Sequence, residues 1–264
     1  AIGGGIIQDI TCFLATTVMR GVPWIFYPTT LLAQSDSCIG SKSSINSGEV
    51  KNILGTFTPP DKVVIDVDFL QTLEQREIFS GIGEMLKVHA INSPESFDLI
   101  SDAYEDVLKN PMIMEEFIHN SLSMKKKLIE IDEFDQGVRN VMNYGHSFGH
   151  AIESATNYGI PHGIAVTIGM DIANFVSAEL GVSDASHFKR MHTVLERNYR
   201  TCQHVEINVK SLLNALSKDK KNSATQLRLI FPDQNGCIGI GLYDNNNKLN
   251  ISLEKYFTLY GGVS

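Results

Sequence analysis

The distribution of periodicities limits most strictly how this chain can fold. From residue 69 onward helical spacing dominates, over 74–91, 94–107, 111–130, 138–157, 163–180, 184–198 and 208–218. Apolar residues recurring every three or four positions give each helix one stripe to bury. Before residue 69 the texture differs. Gly3-Gly4-Gly5 precedes a helical stretch from Ile6 to Arg20. Trp24–Tyr27 and Val63–Val67 read as short buried strands. Thr29-Thr30 can cap a helix-like segment, and 40–60, rich in Gly, Ser, Asn, Lys and Pro, reads as loop. Strands separated by helices suggest parallel pairing. Within the helical part, Leu227–Phe231 and Cys237–Tyr243 flank Pro-Asp-Gln-Asn-Gly, the pattern of a β-hairpin turning at Asn235-Gly236. The expected architecture is an α/β piece over 1–68 followed by a mainly α-helical domain over 69–264, with a hairpin near 227–243.

Composition narrows the function classes. A formal net charge of −8 disfavours general nucleic-acid binding, which rests on basic surface. Small anionic ligands remain open to a local Lys/Arg cluster. Cys12, Cys38, Cys202 and Cys237 lie far apart without a CxxC pair. At 264 residues disulfide staples are unnecessary, so reduced thiols in a cytoplasmic protein are expected. No apolar run reaches the roughly 18–20 residues that span a bilayer. The opening Ala-Ile-Gly-Gly-Gly has neither part of a signal peptide and reads as a start in mid-domain.

The chemistry centres on Gly145-His146-Ser-Phe-Gly-His150-Ala-Ile-Glu153. Helical positions four apart share a face, so His146 and His150 project together. A third histidine, His162, stands in Gly159-Ile-Pro-His162-Gly163, on a turn that opens the next helix. His119, His187, His192 and His204 read as structural or surface residues. No Glu follows His146, so the HExxH pattern of a zincin is absent. A catalytic zinc takes three protein ligands and keeps one open position. His146 and His162 can supply two. The best candidate for the third is Glu84, in Ser80-Gly-Ile-Gly-Glu84-Met-Leu-Lys87, where Glu84 and Lys87 share a helix face. Its apolar neighbours suggest burial, which is costly for both charges unless they are paired or metal-bound.

The cations are dispersed. Lys42 lies in Gly40-Ser-Lys42-Ser-Ser-Ile-Asn46, Lys51-Asn52 closes that segment, and Arg20 lies in Met19-Arg20-Gly21. Lys125, Arg139 and Asn143 precede the histidines, and Lys220 and Lys221 follow Asp219. Lysines in Gly/Ser/Asn loops of an acidic chain suit phosphate or carboxylate. Lys125 to Lys127 reads, by composition alone, as a solvated face. Gly3-Gly4-Gly5 before a helix lets a pyrophosphate approach the backbone at the helix N-terminus, with Asp9 one turn in.

Taken together these segments resemble the 3-dehydroquinate synthases of the sugar-phosphate cyclase superfamily. The resemblance rests on Gly3-Gly4-Gly5 with Asp9, Met19-Arg20-Gly21, Pro28-Thr29-Thr30-Leu-Leu-Ala-Gln-Ser-Asp36, Lys42, Lys51-Asn52 and Asp66 to Leu73. It continues through Gly83-Glu84-Met-Leu-Lys87, Lys125, Arg139, the Asn143 to Glu153 string, His162-Gly163 and Asp219-Lys220-Lys221. It implies Glu84, His146 and His162 as ligands of one divalent metal, zinc or cobalt. It implies NAD lined by Gly4, Gly5, Asp9, Thr29, Thr30, Lys51, Asn52, Phe69 and Thr72. Substrate contacts would come from Asp36, Lys42, Lys87, Lys125, Arg139, Asn143, His150 and one of Lys220 and Lys221. Arg20 would reach the phosphate site of a neighbouring subunit, implying a homodimer. The implied fold is a dinucleotide-binding α/β domain, here only its C-terminal half, then a helical domain, with the site in the cleft between.

The implied reaction is cyclisation of a seven-carbon keto-sugar-acid phosphate: transient oxidation by NAD, loss of phosphate, re-reduction, ring opening and aldol closure. Ser41 before Lys42, Ser47-Gly-Glu-Val50, Gln8 and Cys12 depart from the family pattern. Three alternatives stand beside it: a related cyclase with another substrate, a polyol dehydrogenase of the same architecture, and a non-catalytic metal-binding protein.

Overall fold

The structure is a computed structural model that describes residues 1–47, 50–217 and 226–261, without the side chains of 46, 47, 50–53 and 217. Contacts divide the chain into two compact units, Ala1–Gly81 with Glu105–Arg139, and Ile82–Tyr104 with Asn140–Ser264.

The first unit opens with β1 (Ile2–Gly3), α1 (Gly5–Thr17) and β2 (Ile25–Pro28). The antiparallel pair β3 (Lys42–Ser47) and β4 (Val50–Phe57) and the short β5 (Lys62–Val63) follow. β1, β2 and β5 form one parallel sheet with β2 in the middle, Ile2 opposite Tyr27 and Ile25 opposite Lys62. Phe26, Trp24, Cys12, Ala15, Ala33 and Cys38 make its core. Thr30 caps the next segment as expected, its Oγ1 accepting from the Ala33 amide at 3.3 Å before a π-helical turn, Ala33–Ser37.

Two expectations for this unit are corrected. The 40–60 region is not simply a loop, because β3 and β4 pair along most of it. Backbone bonds and a Ser43–Thr56 hydroxyl contact of 2.9 Å hold the pair, and the Asp9 carboxylate accepts from the Ser44 amide at 3.1 Å. Strands with polar residues on both faces carry no period-two signal. The strand expected over Val63–Val67 is only Lys62–Val63. Asp66 Oδ1 accepts from the Asp68 amide at 2.9 Å and turns the chain into a 3-10 helix, Val67–Thr72.

α2 (Gln75–Asn92), α3 (Pro94–Asp102), α4 (Tyr104–Lys109) and α5 (Pro111–Ile131) come next. Their starts are written locally: Ser93 before Pro94 and Asn110 before Pro111 each accept from an amide of the first turn. The single helix expected over 94–107 divides at Ala103.

In the second unit come α6 (His146–Ala155), α7 (His162–Glu179), α8 (Ala185–Tyr199) and α9 (Val209–Ser217), then β6 (Gln226–Pro232), β7 (Ile238–Asp244) and α10 (Asn247–Leu259). The stretch expected as one helix over 138–157 is a 3-10 helix, Val138–Asn143, followed by α6. Gly145 between them has φ 76°, a left-handed conformation that interrupts a helix and suits glycine. The hairpin forms antiparallel with Gly236 at φ 81°, and Asp233 accepts from the Asn235 and Cys237 amides. α10 was outside the expected helices, although it has the usual signals, an Asn246 cap and buried Leu249, Leu253, Tyr256 and Phe257.

Glycines let the helices of this unit meet backbone to backbone. A Cβ on Gly83 would lie 2.2 Å from the Gly163 carbonyl oxygen, and one on Gly169 only 2.0 Å from that of Gly145. α2 and α6 are thereby pressed against α7, whose residues from Gly163 to Ser177 are all buried.

Candidate metal centre

Every residue of α2 from 79 to 90 is buried. Glu84 and Lys87 therefore cannot be a solvated ion pair on an amphipathic helix. They pair with each other, Lys87 Nζ against Glu84 Oε2. That leaves Glu84 Oε1 buried without a hydrogen-bond partner. It faces His162 Nε2 at 3.5 Å and His146 Nε2 at 4.0 Å. Both histidines stand at the first position of a helix, α6 and α7 respectively. The glycine contacts between α2, α6 and α7 set this proximity.

The tautomers follow from the partners. His146 Nδ1 lies 3.2 Å from the Tyr144 carbonyl oxygen, which can only accept. His162 Nδ1 lies 3.1 Å from Glu153 Oε1. Burial, and then the nearby Lys87 charge, hold His146 well below the ordinary histidine range. For His162 burial also works downward, but the Glu153 bond and the Glu84 and Glu153 charges outweigh it and the net shift is upward.

The donor set fits a divalent cation. Two imidazole nitrogens and a carboxylate oxygen lie within 4.8 Å of one another. Atoms bound about 2.0–2.2 Å from a tetrahedral zinc stand roughly 3.3–3.6 Å apart. Small movements would bring these three onto one ion, which would also satisfy the orphaned Oε1. His150 flanks them, its ring centroid 5.3 Å from that of His146 and 5.8 Å from that of His162. Asn143 donates to the Asn140 carbonyl at 3.0 Å.

The other expected substrate residues lie in the first unit. Lys125 is buried, with Nζ 2.7 Å from Asp36 Oδ1 and 2.5 Å from the Asp36 carbonyl oxygen. The reading of Lys125 as part of a solvated face is thus corrected; the partner lies 89 residues away and leaves no local trace. Lys42 pairs with Asp135 at 2.8 Å. Arg139, also buried, donates through Nη1 to the Glu133 carbonyl at 2.5 Å and packs where a Cβ on Gly40 would be 2.7 Å from Nη2. Burial pushes the neighbouring Cys38 thiol up to about 12, so it stays protonated at neutral pH.

Around the triple glycine, Gly4 is the N-cap of α1 with no side-chain cap, and nothing lies within 4 Å of where a Gly5 Cβ would be. The first amides of α1 are therefore open to an anion. Thr29 donates its amide to the Gly3 carbonyl at 3.0 Å. Phe69 and Thr72 belong to the 3-10 helix after β5. Arg20 is exposed, and it and Met19 have φ of 67° and 50°. Gln8 and Cys12 are buried and bonded, Gln8 with Ser37 and Cys12 to the Thr58 carbonyl. The side chains of Lys51 and Asn52, and Lys220 and Lys221 altogether, lie outside the described residues. Glu153 and Asp135 had no assigned role in the sequence; each meets a site residue only through tertiary contact.

Comparison with known proteins agrees with these features. The sequence pattern of the 3-dehydroquinate synthase N-terminal region matches residues 1–80, and that of the C-terminal region residues 81–222. A 3-dehydroquinate synthase of Dictyoglomus thermophilum is 39% identical over 242 residues, 91% of this chain and 68% of that protein. One from Dehalococcoides mccartyi is 37% identical over 87% of this chain and 64% of its own length. The chain thus spans about two thirds of the length of these relatives. Two solved structures align over nearly all of it at 25% identity. One is 2-deoxy-scyllo-inosose synthase with carbaglucose-6-phosphate, NAD+ and Co2+, with TM-score 0.86 over 97% of this chain and 73% of that one. The other is 2-epi-5-epi-valiolone synthase from Streptomyces hygroscopicus with NAD+ and Zn2+, with TM-score 0.85 over 98% of this chain and 73% of that one.

Proposed function

The chain belongs to the 3-dehydroquinate synthase family, and from that membership and the Glu84–His146–His162 cluster we infer a metal- and NAD-dependent cyclase. It closes a seven-carbon keto-sugar-acid phosphate into a ring with loss of phosphate. The observation that carries the reading is Glu84 Oε1, buried, unpartnered and facing two imidazole nitrogens. The ion would be held by Glu84, His146 and His162, and NAD by Gly4, Gly5, Asp9, Thr29, Thr30, Lys51, Asn52, Phe69 and Thr72. When bound, NAD would supply reversible hydride transfer and the divalent ion Lewis acidity.

The remaining roles belong to the protein. Lys87 holds Glu84 Oε2, so the carboxylate presents its other oxygen to the imidazoles. His150, beside both ligand histidines, holds and moves a proton. Asp36 and Asp135 hold Lys125 and Lys42, which take the anionic oxygens of the substrate together with Asn143 and one of Lys220 and Lys221. Arg139, anchored on Glu133, pairs with the carboxylate.

The assembly is a homodimer in this reading. α1 leaves Ile6, Ile10 and Leu14 exposed at four-residue spacing, an apolar face of the kind that marks protein contacts. Arg20, just after α1, reaches the neighbouring subunit. All four cysteines are free, which accords with a cytoplasmic setting. Among the described residues no helix is long and apolar enough to cross a membrane.

The test supplies the purified protein with the keto-acid phosphate, NAD and zinc or cobalt. Phosphate and a cyclised product should form without net NADH; accumulating NADH would sink the cyclase reading. His162→Ala and Glu84→Ala, folded, should each lose bound metal. Near-stoichiometric metal in either removes the ligand assignment.

A further inference from the structure

His162 is the most exposed of the three candidate ligands, its side chain 36% exposed against 14% for His146 and 1% for Glu84. It starts α7 directly after Pro161. His146 has its Nδ1 on a main-chain carbonyl. For His162 the corresponding group is the Glu153 carboxylate, 3.1 Å away. Glu153 sits seven residues after His146 on α6, two helical turns along the same face. Its side chain is 9% exposed, so solvent screens the contact little. A carboxylate can only accept; Nδ1 therefore carries the hydrogen of the neutral ring, which makes Nε2, the nitrogen facing Glu84, the one available to a cation.

We propose that Glu153 is a positioning residue whose carboxylate locks the Nδ1–H tautomer and ring orientation of His162, and so sets the affinity of the centre for a divalent cation. This rests on the reading of Glu84, His146 and His162 as ligands. Partners of this kind tune metal affinity by about 10–100-fold. A Gln at 153 keeps the size but loses the charge. Its amide can also rotate to offer N–H groups, which favour the wrong tautomer.

The experiment titrates Co2+ into chelator-treated wild type and Glu153→Gln against a chromogenic chelator, with the visible spectrum of bound cobalt recorded. Glu153→Gln should bind about 10–100-fold more weakly, with shifted bands and an unchanged Tm of the metal-free protein. Wild-type affinity and bands in that variant overturn the proposal. If Glu153→Gln does not fold, nitrogen NMR of metal-free wild type decides, because an Nε2–H tautomer at His162 contradicts the lock. A wild type that takes up no cobalt sinks the ligand reading itself, while the tautomer measurement, which needs no metal, still reads Glu153.

Discussion

The second unit holds two histidine–carboxylate clusters, and they differ in what surrounds the acid. Asp171 is fully buried, and its Oδ2 accepts from Tyr256 at 2.7 Å, His192 at 2.8 Å and Tyr199 at 2.9 Å. The His192 ring stacks on Phe188 and lies edge-on to Tyr260. Glu84 has one donor, Lys87, on one oxygen, and two imidazole Nε2 atoms facing the other. Both acids keep one buried oxygen unpartnered. Asp171 has one imidazole beside it, His192, on the oxygen the tyrosines share, whereas two imidazole nitrogens face the unpartnered oxygen of Glu84. Among the described residues, the triads within metal reach are Glu84–His146–His162 and His150–Glu153–His162. A carboxylate whose bonded oxygen gathers hydroxyls and an N–H ties helices together, whereas one whose free oxygen faces two imidazole nitrogens offers a place for a cation.

The largest effect expected from this contrast is on stability. Asp171→Ala leaves two tyrosine hydroxyls and a histidine without their acceptor and should cost about 3–5 kcal/mol in urea unfolding. Metal content per folded molecule should not change. A loss of metal matching that of Glu84→Ala would erase the distinction between the clusters.

A smaller loss should follow Gly83→Ala, about 1–3 kcal/mol of overpacking, because the new methyl lies against the Gly163 carbonyl and Thr167. Here metal affinity should fall as well, since the same contact sets Glu84 beside His162. Unchanged affinity would mean the helix contact does not position the ligands.

The smallest effect is the pH response of the Asp171 cluster. Burial lowers His192, but its bond to Asp171 and the Asp171 and Glu196 charges outweigh that, and the net shift is upward. A raised pKa in the folded state gives stability that is fully present below the unfolded value of about 6.5 and is lost as pH rises through the folded value. The Tm advantage of wild type over His192→Gln should therefore shrink between pH 5.5 and pH 8.5. An advantage that grew with pH would reverse the assignment.

Much of the second unit was legible from local signals. The i,i+4 pair of histidines lies on one helix as the spacing required, the hairpin turns at Asn235-Gly236, and the capped helix starts lie close to where the pattern put them. The first unit was less legible. β3 and β4 hide in a polar segment because a main-chain ladder asks little of its side chains. The burial of Lys125 depends on Asp36, and that of Arg139 on the Glu133 turn and Gly40.

The sequence by itself determined the periodicities, the caps and the ligand-type residues, because each depends on neighbours within a few positions. It also carried the family's long strings. Which oxygen of Glu84 is left unpartnered, that Glu153 holds His162, and that Asp171 gathers two tyrosines and His192 were decided only by the tertiary structure. Those are contacts between segments remote in the chain, and packing alone selects them from the many pairings that residue types permit.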